Sequence, residues 1–179
     1  MIDTYYYDNQ IKKWILQFAN IFAGMQVKTR MGEDGTVEFI DVPIHYASQD
    51  RVVSWINNRF NQNGSFSLPM MSTYLSGIEL TPERRKGVGT KDRKTYLPQN
   101  SVFPTYLTAL NRIMPIPYDL TLDLYTIASN TDQSFQMTEQ ILMLFDPMIQ
   151  IQKNDKQFDW TKITTVELMS IGNEETTLS

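Results

Sequence analysis

The stretch PYDLTLDLYT, residues 117 to 126, alternates with a period of two: Leu120, Leu122 and Leu124 fall on one side, Asp119, Thr121 and Asp123 on the other. That period belongs to a β-strand, whose successive side chains point to opposite faces. The leucine face needs a cover. Downstream the period changes to that of a helix, with Phe135, Thr138, Leu142 and Phe145 lining one side and Met137, Ile141 and Leu144 widening the stripe. Asn130 or Thr131 caps this helix and Pro147 stops it, because the residue before a proline avoids helical geometry. The chain must therefore fold as a sheet with helices laid against it.

The aspartates raise a chemical question. They lie four residues apart on one face, which at about 3.3 Å per residue separates their α-carbons by roughly 13 Å. Carboxylates that share acid–base work lie within about 5 to 9.5 Å of each other. A carboxylate-dependent hydrolase is thus poorly served by Asp119 and Asp123, and Asp119, Thr121 and Asp123 are expected to face solvent or a neighbouring subunit.

The remaining elements follow from the same periodicities. Ile11, Trp14, Ile15, Phe18, Ile21 and Phe22 recur at helical spacing, with Asp8 or Asn9 as the cap and Gly24 at the end. Next, MQVKTR and VEFIDVPIHY are β-rich runs around the turn signal Asp34-Gly35, which predicts a hairpin whose second strand ends near Pro43. Ser48 opens a second helix striped by Val52, Val53, Ile56 and Phe60 and ended near Gly64. Residues 70 to 80 read as a strand, and two more strands are divided near Pro115 and Pro117. A last strand is expected at 163 to 171, before a polar end at 172–179. The order is irregular for a doubly wound protein. It predicts an α+β fold with a mainly antiparallel, mixed sheet flanked by helices, as a single domain over residues 1–171.

Composition removes several chemistries. The chain has 179 residues, no cysteine and one histidine, so thiol nucleophiles, thiolate metal sites and histidine-rich zinc sites are excluded. A serine triad would have to use His45, which sits in an extended segment. The glycines of GVGTK, residues 87 to 91, do not match a phosphate loop, which needs a GK[ST] ending between a strand and a helix. Scattered acidic residues show no metal-ligand spacing, and no cofactor is expected. No run approaches the ~18 apolar residues of a membrane span, and the amino terminus lacks a targeting pattern, so a cytosolic origin without membrane contact is expected.

Charge is the local signal. The stretch 82–95 carries Arg84, Arg85, Lys86, Lys91, Arg93 and Lys94 against Glu83 and Asp92, a balance of +4 in a chain of net charge −4. It is expected to be a long exposed loop that either stays solvated or orders on an acidic partner, protein or DNA. Tyr5, Tyr6 and Tyr7 form a second cluster, whose amphipathic rings suit an interface or the pinning of the first helix.

The segments YYYDNQIKKWILQFANIFAGMQVKTR, FIDVPIHYASQDRV and PIPYDLTLDLYTIASNTDQSFQMTEQILMLFDP resemble the tail sheath stabiliser and tail completion (tail terminator) family of T-even-type contractile-tailed phages. The resemblance rests on V-P-I-x-Y-A-S at Val42 to Ser48 paired with E-Q-I-L-x-x-F-x-P at Glu139 to Pro147. It covers most of residues 1 to 171 and is loose over about 61 to 105. It implies a tail-terminator-like fold and a structural virion protein rather than an enzyme. The implied assembly is a homohexameric ring, formed in the host cytoplasm, that caps the tail tube and sheath and joins the neck of the head. Its implied partners are further copies of itself, tube and sheath proteins and head–neck completion proteins, with packaged DNA passing through the ring. Family members continue beyond the position of Ser179 with a further strand and a polar tail. A baseplate or neck adaptor without the terminator role is the alternative.

Overall fold

A computed structural model describes residues 5, 7, 9–31, 37–58, 68–96, 108–114, 116–154 and 161–172. Tyr6, Asp8, the Asp34-Gly35 turn, Phe60, Gly64 and all but the first residue of the polar end 172–179 lie outside them. Within the single domain expected over 1–171, the chain divides into two compact units, a body of Met1–Tyr74 with Asp123–Ser179 and an arm of Leu75–Leu122.

In the body, α1 (Gln10–Ile21) starts at Asn9, whose side chain makes no cap bond. Its carbonyl instead accepts from Lys13 N–H at 2.9 Å. Phe18 and Phe22 are buried and meet edge to face at 5.2 Å between ring centroids. Gly24, at φ +83°, turns the chain into β1 in a left-handed conformation that a side chain would oppose. The expected hairpin forms between β1 (Gln26–Met31) and β2 (Val37–Asp41), antiparallel, with a register shift between Lys28 and Arg30.

The run VEFIDVPIHY does not continue as one strand. Pro43 has no N–H to give a ladder, and beyond it β3 (Ile44–Tyr46) joins a different sheet. There it pairs parallel with β4 (Met70–Leu80), in the register Ile44↔Met71, His45↔Ser72 and Tyr46↔Thr73. A parallel pair needs a long crossover connection. That connection contains α2 (Gln49–Asn58), which buries Val52 and Ile56 against Ala47 and Met70, with Trp55, Leu68 and Ile127 packed around them.

β4 is the middle strand of a three-stranded sheet, between β3 and a later strand, called β7 below. Its first positions, Met70 to Thr73, are buried on both faces, and from Tyr74 onward the strand is exposed or half-buried. The arm continues with a 3-10 turn, Pro82–Arg84, and the antiparallel pair of β5 (Lys91–Tyr96) and β6 (Thr108–Ile113). The expected loop over 82–95 thus ends as a strand. Its polar side chains concealed that, because a ladder joins backbones and β6 supplies the partner.

β7 (Tyr118–Ile127) runs opposite to β4, since Ser76 donates to the Thr121 carbonyl while Thr81 N–H donates to that of Pro117. α3 (Thr131–Leu144) is capped as expected, the Asn130 side chain accepting from Gln133 N–H at 2.8 Å. Two strands close the described chain, β8 (Met148–Asn154) and β9 (Thr161–Glu167), paired antiparallel. β8 is absent from the sequence reading, although Ile149 and Ile151 alternate with Gln150 and Gln152. The fold is α+β, and the expected sheet is divided among two-stranded pairs and the mixed three-stranded sheet.

Candidate partner-binding surfaces

The basic stretch sorts into separate places. Arg84 forms an ion pair and hydrogen bond with Asp119, and Thr81 Oγ1 donates to Asp119 Oδ2 at 2.8 Å while accepting from Arg84 at 3.1 Å. One expected cation and one expected carboxylate are therefore brought together across the 3-10 turn and the start of β7. Both side chains remain more than half exposed, so the pair orients the turn more than it stabilises it. Both Asp119 oxygens thus accept a hydrogen bond within the protomer.

Arg85 and Lys86 follow, exposed, at the start of a tight turn. Thr90 closes this turn by donating its N–H at 3.1 Å and its hydroxyl at 2.7 Å to the Gly87 carbonyl. Gly89 adopts φ +80°, and Val88 stands 89% exposed at the tip. β5, not a helix, follows the glycines, so GVGTK lacks the helix end that makes a phosphate loop an anion site. Along β5 the side chains alternate. Lys91 and Arg93 share the face of their cross-strand partners Ile113 and Asn111, whereas Asp92 and Lys94 share that of Arg112 and Leu110. Arg112 bridges Asp92 at 3.2 Å and was not among the cations singled out from the sequence. Only the strand pairing reveals it.

In the expected interface row, Thr121 is exposed, its Cβ 3.5 Å from where a side chain on Gly77 would begin. Asp123 is half-buried and accepts from the Tyr125 hydroxyl at 3.4 Å. Tyr5 and Tyr7 are exposed, with ring centroids 6.4 Å apart. A second exposed ring pair, Tyr46 and Tyr74 at 6.0 Å, had no counterpart in the sequence reading.

α3 keeps part of its expected stripe, since Met137 and Ile141 are buried, and turns the rest of it outward. The buried residues are Gln133, Met137 and Ile141, whereas Phe135 is 56% and Leu142 44% exposed. The i, i+4, i+8 spacing of the buried set was visible in the sequence. Only Gln133 was missing from the expected stripe, because a polar residue does not register in an apolar period.

His45 is half-buried in β3, and among the described residues no group of three histidine, aspartate or glutamate side chains could hold a metal ion. Two recesses among the described residues, of about 130 and 320 Å³, are lined by no histidine, aspartate or glutamate. Among the described residues no helix is long and apolar enough to cross a membrane.

The family model described as "T4-like virus Myoviridae tail sheath stabiliser" matches residues 5–178. The tail completion protein gp15 of Enterobacteria phage T4 is 25% identical over 143 residues, covering 80% of this chain and 52% of that protein. The chain thus spans about half the length of this curated relative.

Proposed function

The chain belongs to the T4-like Myoviridae tail sheath stabiliser family, and from that membership we propose that it is a structural virion protein working at the head-proximal end of a contractile tail. In this reading it forms a hexameric ring that caps the tail tube, holds the end of the sheath and offers a surface to the neck of the head. The observation that carries the reading is the match along nearly the whole chain, residues 5–178, rather than over one motif. The architecture is in keeping with it. A ring subunit needs one face for each stacked partner and a head-to-tail seam for its neighbours. The separate small sheets, exposed ring pairs and apolar outer face of α3 provide surface for such contacts. An enzyme pocket, by contrast, encloses most of its ligand and converges a few polar groups upon it.

The test is electron microscopy of tails assembled from all other tail proteins with this one left out. Overlong tubes or sheaths that fail to hold are expected. Free tails of normal length and stability that still join heads would overturn the reading.

A further inference from the structure

The arm and the body differ in charge and in core. Residues Leu75–Leu122 carry seven basic and four acidic side chains, a balance of +3, which leaves −7 for the body of a chain whose net charge is −4. Every buried residue among those described lies in the body, and the described residues of the arm include none. Instead the arm presents Val88 at 89% and Ile113 at 71% exposure. Both line one recess with Arg85 and Lys86, and Lys91 lies directly across the ladder from Ile113. Its surface is thus apolar at the centre and cationic at the margin.

The body carries a surface of opposite character. From Arg112 to Lys153 the intervening forty residues contain no lysine or arginine, and α3 lies within them. On its outward face, opposite Met137, the helix turns Phe135, Glu139, Leu142 and Met143 to solvent with Asp132 at its start. An apolar stripe flanked by carboxylates complements an apolar tip flanked by cations.

We infer that the arm of one copy docks on the outer face of α3 of a second copy, with Val88 and Ile113 against Phe135 and Leu142 and with Lys91 and Arg93 near Glu139. The inference rests on the ring reading above and names its seam. Such a contact joins two different surfaces, so it repeats head to tail and closes when the rotation allows. It also covers apolar side chains on both partners that the single chain leaves in water.

Two kinds of reversed copy test it, both exposed substitutions on otherwise unchanged chains. Lys91→Glu with Arg93→Glu makes the arm face acidic, and Glu139→Lys with Met143→Lys makes the α3 face basic. Each should be monomeric by native mass at concentrations where the unaltered chain is oligomeric, with assembly shifted by at least tenfold in concentration. Mixed together, they should assemble again, in even-numbered rings, because each reversed arm meets a reversed helix; rescue on mixing shows both are folded. The chain has no cysteine, so a Val88→Cys, Leu142→Cys copy holds the only thiols, and oxidation should link different chains into a ladder. Reversed copies that assemble as well alone as the unaltered chain, a mixture that gives no oligomer, or a disulfide formed within one chain would overturn the seam and leave the ring standing. An unaltered chain that is monomeric throughout would overturn both.

Discussion

The side chain of Gln136 offers both halves of its amide to the backbone of Lys28, accepting from its N–H at 2.8 Å and donating to its carbonyl at 3.3 Å. One turn on, Gln140 donates to the Gln26 carbonyl at 2.9 Å. Among the described residues β1 has β2 on one edge and no second strand on the other, so that edge would leave backbone groups unpaired beneath α3. Two glutamines at helical i, i+4 spacing occupy that edge in place of a strand, and Asp132 holds the first by accepting from its amide nitrogen at 2.8 Å. Removing one such partner strands a partly buried donor and acceptor together. Gln136→Ala is therefore expected to lower unfolding stability by about 1 to 2 kcal/mol. Urea denaturation checks this, and an unchanged midpoint would mean that water replaces the amide without loss. From the sequence, Gln136 had no assigned role and Gln140 stood only as a letter of the E-Q-I-L motif. A polar side chain gives no sign of whether it will meet water or the edge of a strand, and only the placement of β1 against α3 decides it.

At the scale of the element, α3 shows both the reach and the limit of periodicity. Its span, its Asn130 cap and its end before Pro147 were all legible, since each follows from local chemistry within a few residues. Its orientation was legible only in part: Met137 and Ile141 stood in the expected stripe and are buried, whereas Phe135 and Leu142 stood there too and are exposed. Two apolar faces compete along this helix, and Phe135 and Leu142 outweigh the set Gln133, Met137 and Ile141 in any count of hydrophobicity. The fold nevertheless turns Gln133 inward, where it is held by its own N–H to Asn130 and by its Oε1, which accepts from Ser129. Substitution separates the two faces. Met137→Ala should cost about 2 to 5 kcal/mol of stability through the cavity it leaves, whereas Phe135→Ser should change thermal stability of the isolated protomer by under about 0.5 kcal/mol. A large loss at Phe135 would mean that this ring is covered within the protomer after all. β3 and β8 were missed for other reasons. β3 is shorter than the period needs to declare itself, and its parallel partner lies beyond α2 in the sequence. β8 carries only a short alternation, Ile149 and Ile151 with Gln150 and Gln152, close behind Pro147, and its pairing with β9 makes it a strand.

Among the described residues, the body buries side chains and the arm does not, and the chain passes from one unit to the other within β4 and within β7. Hydrogen-bonded ladders alone contribute modest net stability, because the unfolded chain bonds equally to water. Burial is what makes opening costly, so local stability should follow the distribution of buried side chains. In the unassembled protomer, the amides of Lys91–Tyr96 and Thr108–Ile113 are expected to exchange with solvent roughly a hundredfold faster than those of Met70 to Thr73, whose side chains are buried. Amide hydrogen exchange followed by mass spectrometry measures both segments in one sample. If copies assemble through the arm, its protection should rise with protein concentration while that of Met70 to Thr73 stays level, because only the arm gains cover. Equal protection of the two segments in the dilute protomer would show that the arm is already held within its own chain. An arm already held in that way gains no cover on assembly, and the seam would have to lie elsewhere.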